Sequence, residues 1–179
     1  MDNANRRRPQ LTDDLVVREL SVDDIARVRR LQIDSFSKFA RSHFTDDEIS
    51  AFNQFAMSDG FAADRYQAIL DKSLVGAYHT HHLVGTGEWG WSSGPTVIAQ
   101  VRGVFVDPIF GGCGVGRQIV GDLEGRIRNA GFDEVGVRST VNATSFFEQL
   151  GYRITSHGQQ ILHPGEGLAV TFMRKTLAP

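Results

Sequence analysis

The stretch VFVDPIFGGCGVGRQIV, Val104 to Val120, decides how the fold is read. Its opening residues end an apolar, β-branched run of the kind that forms a strand. Pro108 stops the run, glycines follow at 111, 112, 114 and 116, and Val115, Ile119, Val120, Leu123 and Ile127 then recur at helical spacing. Strand, glycine turn and amphipathic helix therefore stand in direct succession. A helix start presents free backbone N–H groups and the positive end of the helix dipole, so phosphate binds there readily if no side chain obstructs it. Glycines at these four positions remove the obstruction and let successive N–H groups turn inward as an anion nest, to which Arg117 adds a cation. A merely flexible connection is the competing reading.

Two familiar phosphate motifs do not fit. The dinucleotide fingerprint GxGxxG meets Arg117 at its third glycine when started from Gly112, and Ile119 when started from Gly114. The nucleotide loop GxxxxGK[ST] finds its spacing in Gly111 and Gly116. Arg117-Gln118 then replaces the Lys-Ser/Thr pair, so the magnesium-binding hydroxyl is missing.

Working outward, Val16 to Leu20 alternates as a first strand, and Ser21 or Asp23 caps a helix striped by Ile25, Val28, Leu31 and Ile33. Phe36 and Phe39 are expected to carry this apolar side into irregular chain. Thr45-Asp46-Asp47-Glu48 is a capping box that opens a second helix with Ile49, Phe52 and Phe55. A third helical stretch is expected over Ala62 to Leu70. Leu74 to Tyr78 and Leu83 to Trp91 flank a polar turn and read as a hairpin, Ser92 to Pro95 as a turn, and Thr96 to Val106 as a long strand. Gly131 ends the helix behind the glycines. Val135 to Ser139 is a strand, Thr144 to Leu150 a short helix, and Tyr152 to Ser156 and Ala169 to Lys175 are closing strands. Hairpin-joined strands are antiparallel and the helix after Val115 is a crossover, so the order specifies an α/β protein with a mixed sheet.

Bulk properties bound the function. The 179 residues are 41% hydrophobic and 22% charged, enough for one buried core. We expect one domain over residues 13–179 behind a disordered polar tail, residues 1–12. That tail lacks the apolar segment of a secretory signal, and no apolar run approaches a membrane span. A net charge of −2 gives no electrostatic reason to expect nucleic acid or an anionic membrane as partner. A single cysteine, Cys113, excludes an intramolecular disulfide and fits a reducing, cytoplasmic setting.

The strand end, proline turn, glycine cluster and helix closely resemble the acyl-CoA pyrophosphate loop of the GNAT superfamily of N-acetyltransferases. That family's pattern is Gln/Arg-x-x-Gly-x-Gly/Ala. Gly114 and Gly116 take its glycine positions, while Gly111 stands where Gln or Arg is usual, removing a side-chain contact but not the backbone cradle. Downstream, NATSFFEQLGY, Asn142 to Tyr152, resembles the family's Ala-x-x-Phe-Tyr-x-x-x-Gly-Phe segment through Ala143, Phe146, Phe147, Gly151 and Tyr152. The ending AVTFMRKTL resembles the last strand of a subgroup. The resemblance spans Val16 to Leu177 in element order, with its specific motifs between Val104 and Tyr152.

The resemblance implies a single-domain GNAT-like α/β fold: a mixed, mostly antiparallel sheet with a splayed central strand pair, flanked by helices. It implies acetyl-CoA as co-substrate, no metal, an amine acceptor, and a monomer or edge-strand homodimer. The cofactor is expected on Val104, Phe105, Val106, Gly111, Gly112, Cys113, Gly114, Val115, Gly116, Arg117, Asn142, Phe146 and Phe147, with the Phe105 N–H stabilising the oxyanion. Tyrosine is usual at the position of Phe147, where its phenol protonates the leaving thiolate. Phenylalanine cannot, which leaves Ser145, Tyr152, water or unassisted departure. Glu88 is the candidate base, beside Trp89, a neighbour able to raise a carboxylate pKa; an ordinary solvated strand glutamate is the alternative. The imidazoles of His79, His81 and His82 are further candidate bases, and their cluster reads as a polar hairpin turn, not a metal site. Cys113 reads as a small loop residue. Acceptor choice is expected within Ser35 to Glu48, where Asp46, Asp47 and Glu48 either attract a cationic amine or serve as helix caps. The alternative function is a non-catalytic acyl-CoA-binding sensor.

Overall fold

Seven strands form one sheet in the order β1-β2-β3-β4-β5-β7-β6 in the computed structural model, which describes residues 14–92, 97–163 and 166–177. The expected tail over residues 1–12 and the turn residues 93–95 lie outside the described residues. The strands are β1 (Leu15–Glu19), β2 (Leu74–His79), β3 (His82–Trp91), β4 (Ala99–Val106), β5 (Glu134–Thr140), β6 (Arg153–His163) and β7 (Glu166–Thr176). All neighbours pair antiparallel except β4 and β5, which are parallel. Between them runs the crossover helix α4 (Val115–Asn129).

Helix α4 covers one face of the sheet. Ile119, Leu123 and Ile127, one helical turn apart, are fully buried with Val101, Val135 and Val137 beneath them. Burying each such side chain is worth about 1.5–3 kcal/mol. Gly131 (φ +91°) adopts the left-handed conformation that ends the helix.

The other face is covered by α1 (Ile25–Phe39), α2 (Asp46–Met57) and α3 (Asp59–Leu70). Asp24 accepts from the Ser21 N–H at 3.1 Å to start α1. The expected capping box opens α2: Glu48 N–H donates to Thr45 Oγ1 at 3.2 Å, and Thr45 N–H to Glu48 Oε2 at 2.8 Å. Ser58 starts α3 earlier than expected, accepting from the Phe61 N–H at 3.1 Å. Phe36, Phe44 and Phe52 interlock beneath α1 and α2, with the 36–52 ring centroids 4.1 Å apart.

Three expectations change. Phe36 and Phe39 lie inside α1, because the stripe through Val28 and Leu31 continues one more turn to Phe36. Phe39, expected to carry the apolar side onward, is exposed, as is Trp91 at the end of β3, by 60%. Strands β6 and β7 each run 11 residues, far beyond the expected Tyr152–Ser156 and Ala169–Lys175. The extension carries polar residues such as Gln159 and Gln160, so ladder pairing extends the hairpin where burial periodicity gave no signal.

Candidate active site

Strands β4 and β5 pair at three positions only: Ala99 with Val135, Gln100 with Gly136, and Val101 with Val137. Beyond these, β4 continues to Val106 and β5 to Thr140 without pairing to each other. The cause is a bulge. Thr86 faces Phe105 and Glu88 faces Arg102, so both Gly103 and Val104 stand opposite Gly87. Gly103 takes φ +61°, and β4 bends away at that point. The expected splayed pair is therefore a wedge-shaped gap with its vertex at Val101 and Val137.

Strand alternation sets which backbone groups line the gap. The Asp107 N–H donates to Val84 O at 2.8 Å, so two residues earlier the Phe105 backbone also faces β3, opposite Thr86. The Val106 N–H points the other way. The Phe105 N–H, the expected oxyanion donor, therefore lies on the β3 side of the strand. The Phe105 ring stacks toward Phe52 at 5.8 Å. The Val106 N–H meets Ser35 Oγ of α1 at 3.3 Å, a contact that sequence spacing could not reveal across 71 residues.

The glycine turn delivers the chain from β4 into α4. Asp107 accepts from the Ile109 N–H at 2.9 Å and turns the chain at Pro108. Gly114 occupies the N-cap position of α4 at φ +89°, ψ −3°, and no side chain caps the helix. Hence the Val115, Gly116 and Arg117 N–H groups begin α4 without a side-chain acceptor. Arg117 and Gly112 are exposed beside them, and half-buried Cys113 turns its thiol toward Gly111 O. Gly111 has a different duty. A Cβ there would lie 2.9 Å from the Phe39 ring, so its glycine makes room for α1.

The second motif closes the same end. Phe146 packs over Gly116, where an added Cβ would lie 3.1 Å from the ring. The Asn142 Oδ1, in the turn that follows β5, is buried without a hydrogen-bond partner, an orphaned acceptor. Phe147 is 4% exposed, set edge-on to both Phe146 and Tyr152 in the α4 core. The Tyr152 hydroxyl points into that core near Glu124, and burial, then the Glu124 charge, push its pKa far above the ordinary phenol value. Tyr152 is thus a poor proton donor. Ser145 is exposed.

The opposite side of the vertex is charged. Glu88 is 3% exposed and its carboxylate is clasped by Arg65 Nη1 of α3 at 2.7 Å and Arg102 Nη2 of β4 at 2.8 Å. Trp89, expected to shape Glu88, packs with the α4 cluster on the other face. Behind Glu88, Gln32 of α1 donates to Thr86 Oγ1 at 3.3 Å, and Thr86 to Gly103 O at 3.3 Å, tying α1 to the bulge. Arg65, Arg102 and Gln32 were not singled out in the sequence: they come from three separate elements and share no local pattern. Asp46 and Asp47 sit in the first turn of α2, and Glu48 is spent in the capping box, so the capping reading describes that acidic run. The His79–His82 residues form the β2–β3 turn, and no group of three or more metal-ligating side chains occurs among the described residues.

Residues 40–177 match the acetyltransferase (GNAT) domain family, and the chain belongs to that family. It is similar to an uncharacterised acetyltransferase of Streptococcus pyogenes serotype M1, 29% identical over 117 residues, covering 63% of this chain and 80% of the relative. A GCN5-related N-acetyltransferase from Rhodopseudomonas palustris superposes with a TM-score of 0.79 at 22% identity, covering 94% of this chain and 99% of its own. The PaiA N-acetyltransferase of Thermoplasma acidophilum, solved with coenzyme A, has a TM-score of 0.71 at 14% identity, covering 90% and 98%. The protein is an acetyltransferase of the GNAT type.

Proposed function

We propose that the chain transfers an acetyl group from acetyl-CoA to the amine of an acceptor. The observation that carries this reading is the wedge between β4 and β5 ending on the uncapped, glycine-built start of α4. One supplies backbone for an extended amide-bearing chain, the other a cradle for a pyrophosphate. The orphaned Asn142 Oδ1 adds an acceptor in the turn that follows β5. Coenzyme A in the PaiA structure, on the same fold, supports the same ligand class here.

Bound acetyl-CoA supplies an activated thioester. Around it, Gly112 to Arg117 hold the diphosphate with N–H groups and a guanidinium. The Val106 N–H, released from Ser35, pairs with the pantetheine. The Val104 N–H, next to the bulge, faces the oxygen that gains charge as the amine attacks. The C–N bond forms as the C–S bond breaks. Glu88, the buried carboxylate on the acceptor side, takes the amine's proton, with Arg65 and Arg102 fixing its two oxygens. With phenylalanine at 147, the sulfur leaves as thiolate without a protein donor; a thiol pKa of about 8.5 permits this near neutral pH.

A broad panel of amines with acetyl-CoA and free-thiol detection tests the reading. Turnover of any amine supports it. Binding of acetyl-CoA with no turnover across the panel favours the non-catalytic sensor instead.

A further inference from the structure

Val101 and Val137 form the last pair joining β4 to β5, and both point into the α4 core. The next residues outward, Arg102 and Arg138, therefore project from the opposite face on either side of the vertex. The sheet is shaped to seat Arg102, since a Cβ on Gly90 would lie 2.5 Å from its Nη2. Arg65 brings a third guanidinium from α3, and its Nε is buried without a hydrogen-bond partner. The carboxylate beside them, Glu88, is already shared between Arg65 and Arg102. Among the described residues Arg138 makes no ion pair.

Such an arrangement repels itself when nothing is bound. Burial, and then the charge of Arg102, lower the Arg138 pKa from its ordinary value. Cations gathered beside a reaction centre disfavour a polyamine there and favour an acceptor that brings negative charge. Guanidinium forks match the two oxygens of a planar carboxylate, one fork to each.

We propose that the acceptor is an amine that also carries a carboxylate, and that Arg102 and Arg138 bind this carboxylate at the vertex of the gap while the amine faces the acetyl thioester. The proposal rests on the acetyl-transfer reading above and adds the chemical class of the acceptor. In it Glu88 has a second duty, holding Arg102 in place.

The test uses the full chain at saturating acetyl-CoA with thiol release as readout. Acceptors are given in matched sets that differ only in the anion: an L-amino acid, its amide and the decarboxylated amine, for leucine, phenylalanine, glutamate and lysine side chains. Ethanolamine and O-phosphoethanolamine, spermidine and agmatine complete the panel. A charge-assisted bidentate contact predicts that at least one amino acid exceeds its amide and decarboxylated amine in kcat/KM by about 10–100-fold. Arg138→Gln should bring that ratio toward one through KM, and Arg138→Lys should restore part of it. Protection from heat by acetyl-CoA checks that each variant retains its fold.

Turnover confined to neutral or cationic amines overturns the carboxylate proposal and leaves acetyl transfer standing. A preference for O-phosphoethanolamine over every amino acid overturns it in favour of a phosphate. An unchanged ratio in Arg138→Gln overturns the site. Absence of turnover on any amine, with acetyl-CoA still protecting, removes the acetyl-transfer reading and the proposal with it.

Discussion

The two faces of the β4–β5 gap are built by different means. On the α4 side, the site is backbone: an uncapped helix start, a left-handed Gly114, and strand N–H groups left without a neighbouring strand. On the α1–α3 side, the site is side chain: Arg65, Glu88, Arg102 and Arg138, drawn from four elements. Backbone sites demand particular residues at fixed spacing, because few conformations present several N–H groups at once. Side-chain sites demand only that distant positions converge. The first face suits a ligand common to many related proteins, and the second is where an individual acceptor is chosen.

The comparison is broken most severely at Glu88. Glu88→Gln keeps the side chain's shape and removes a proton acceptor, so kcat/KM should fall by about 10²–10⁴-fold, mainly through kcat. A rise in KM with kcat unchanged would show that Glu88 only positions the two arginines.

Next comes the backbone face. Gly114→Val forces a β-branched residue to φ +89°. The strain should cost about 1–3 kcal/mol, and where the turn relaxes away from it, KM for acetyl-CoA should rise by about 10–100-fold. Chain stability and acetyl-CoA KM both left at wild-type values would mean that the turn is merely a connection. A smaller effect is expected at Asn142. Replacing it by leucine removes a buried acceptor with no partner in the free chain, so the melting temperature should hold or rise. KM for acetyl-CoA should rise by about 2–10-fold, the worth of one lost hydrogen bond.

The smallest effect separates the α4 core from the chemistry. Tyr152→Phe deletes a buried hydroxyl beside Glu124 and should leave kcat unchanged. A fall in kcat would restore Tyr152 as the proton donor that Phe147 cannot be.

The same contrast explains how much was legible in the sequence. The glycine turn, the α4 stripe from Val115 to Ile127 and the Thr45–Glu48 cap were readable because each is a local pattern with a physical cause. The splay was expected through the family resemblance, yet its origin, the bulge at Gly103, was not, since a glycine inside a strand does not state its register. Trp89 was misplaced as the neighbour of Glu88 because adjacent strand residues point to opposite faces. Arg102 and Arg138 carried no signal at all: each is one polar residue in an alternating strand, and only parallel pairing brings them to the same vertex.

The central claim is that the gap and the start of α4 together hold acetyl-CoA. Its most direct test is the melting temperature of the full chain with and without millimolar acetyl-CoA, run beside ATP and the Gly114→Val variant. At about 100 times its Kd the ligand stabilises by about 2.7 kcal/mol, a rise of roughly 5–10 °C for a chain of this size. Acetyl-CoA should produce that rise, ATP none, and acetyl-CoA on Gly114→Val a much reduced one. No shift at millimolar acetyl-CoA, or an equal shift in the variant, would contradict the claim.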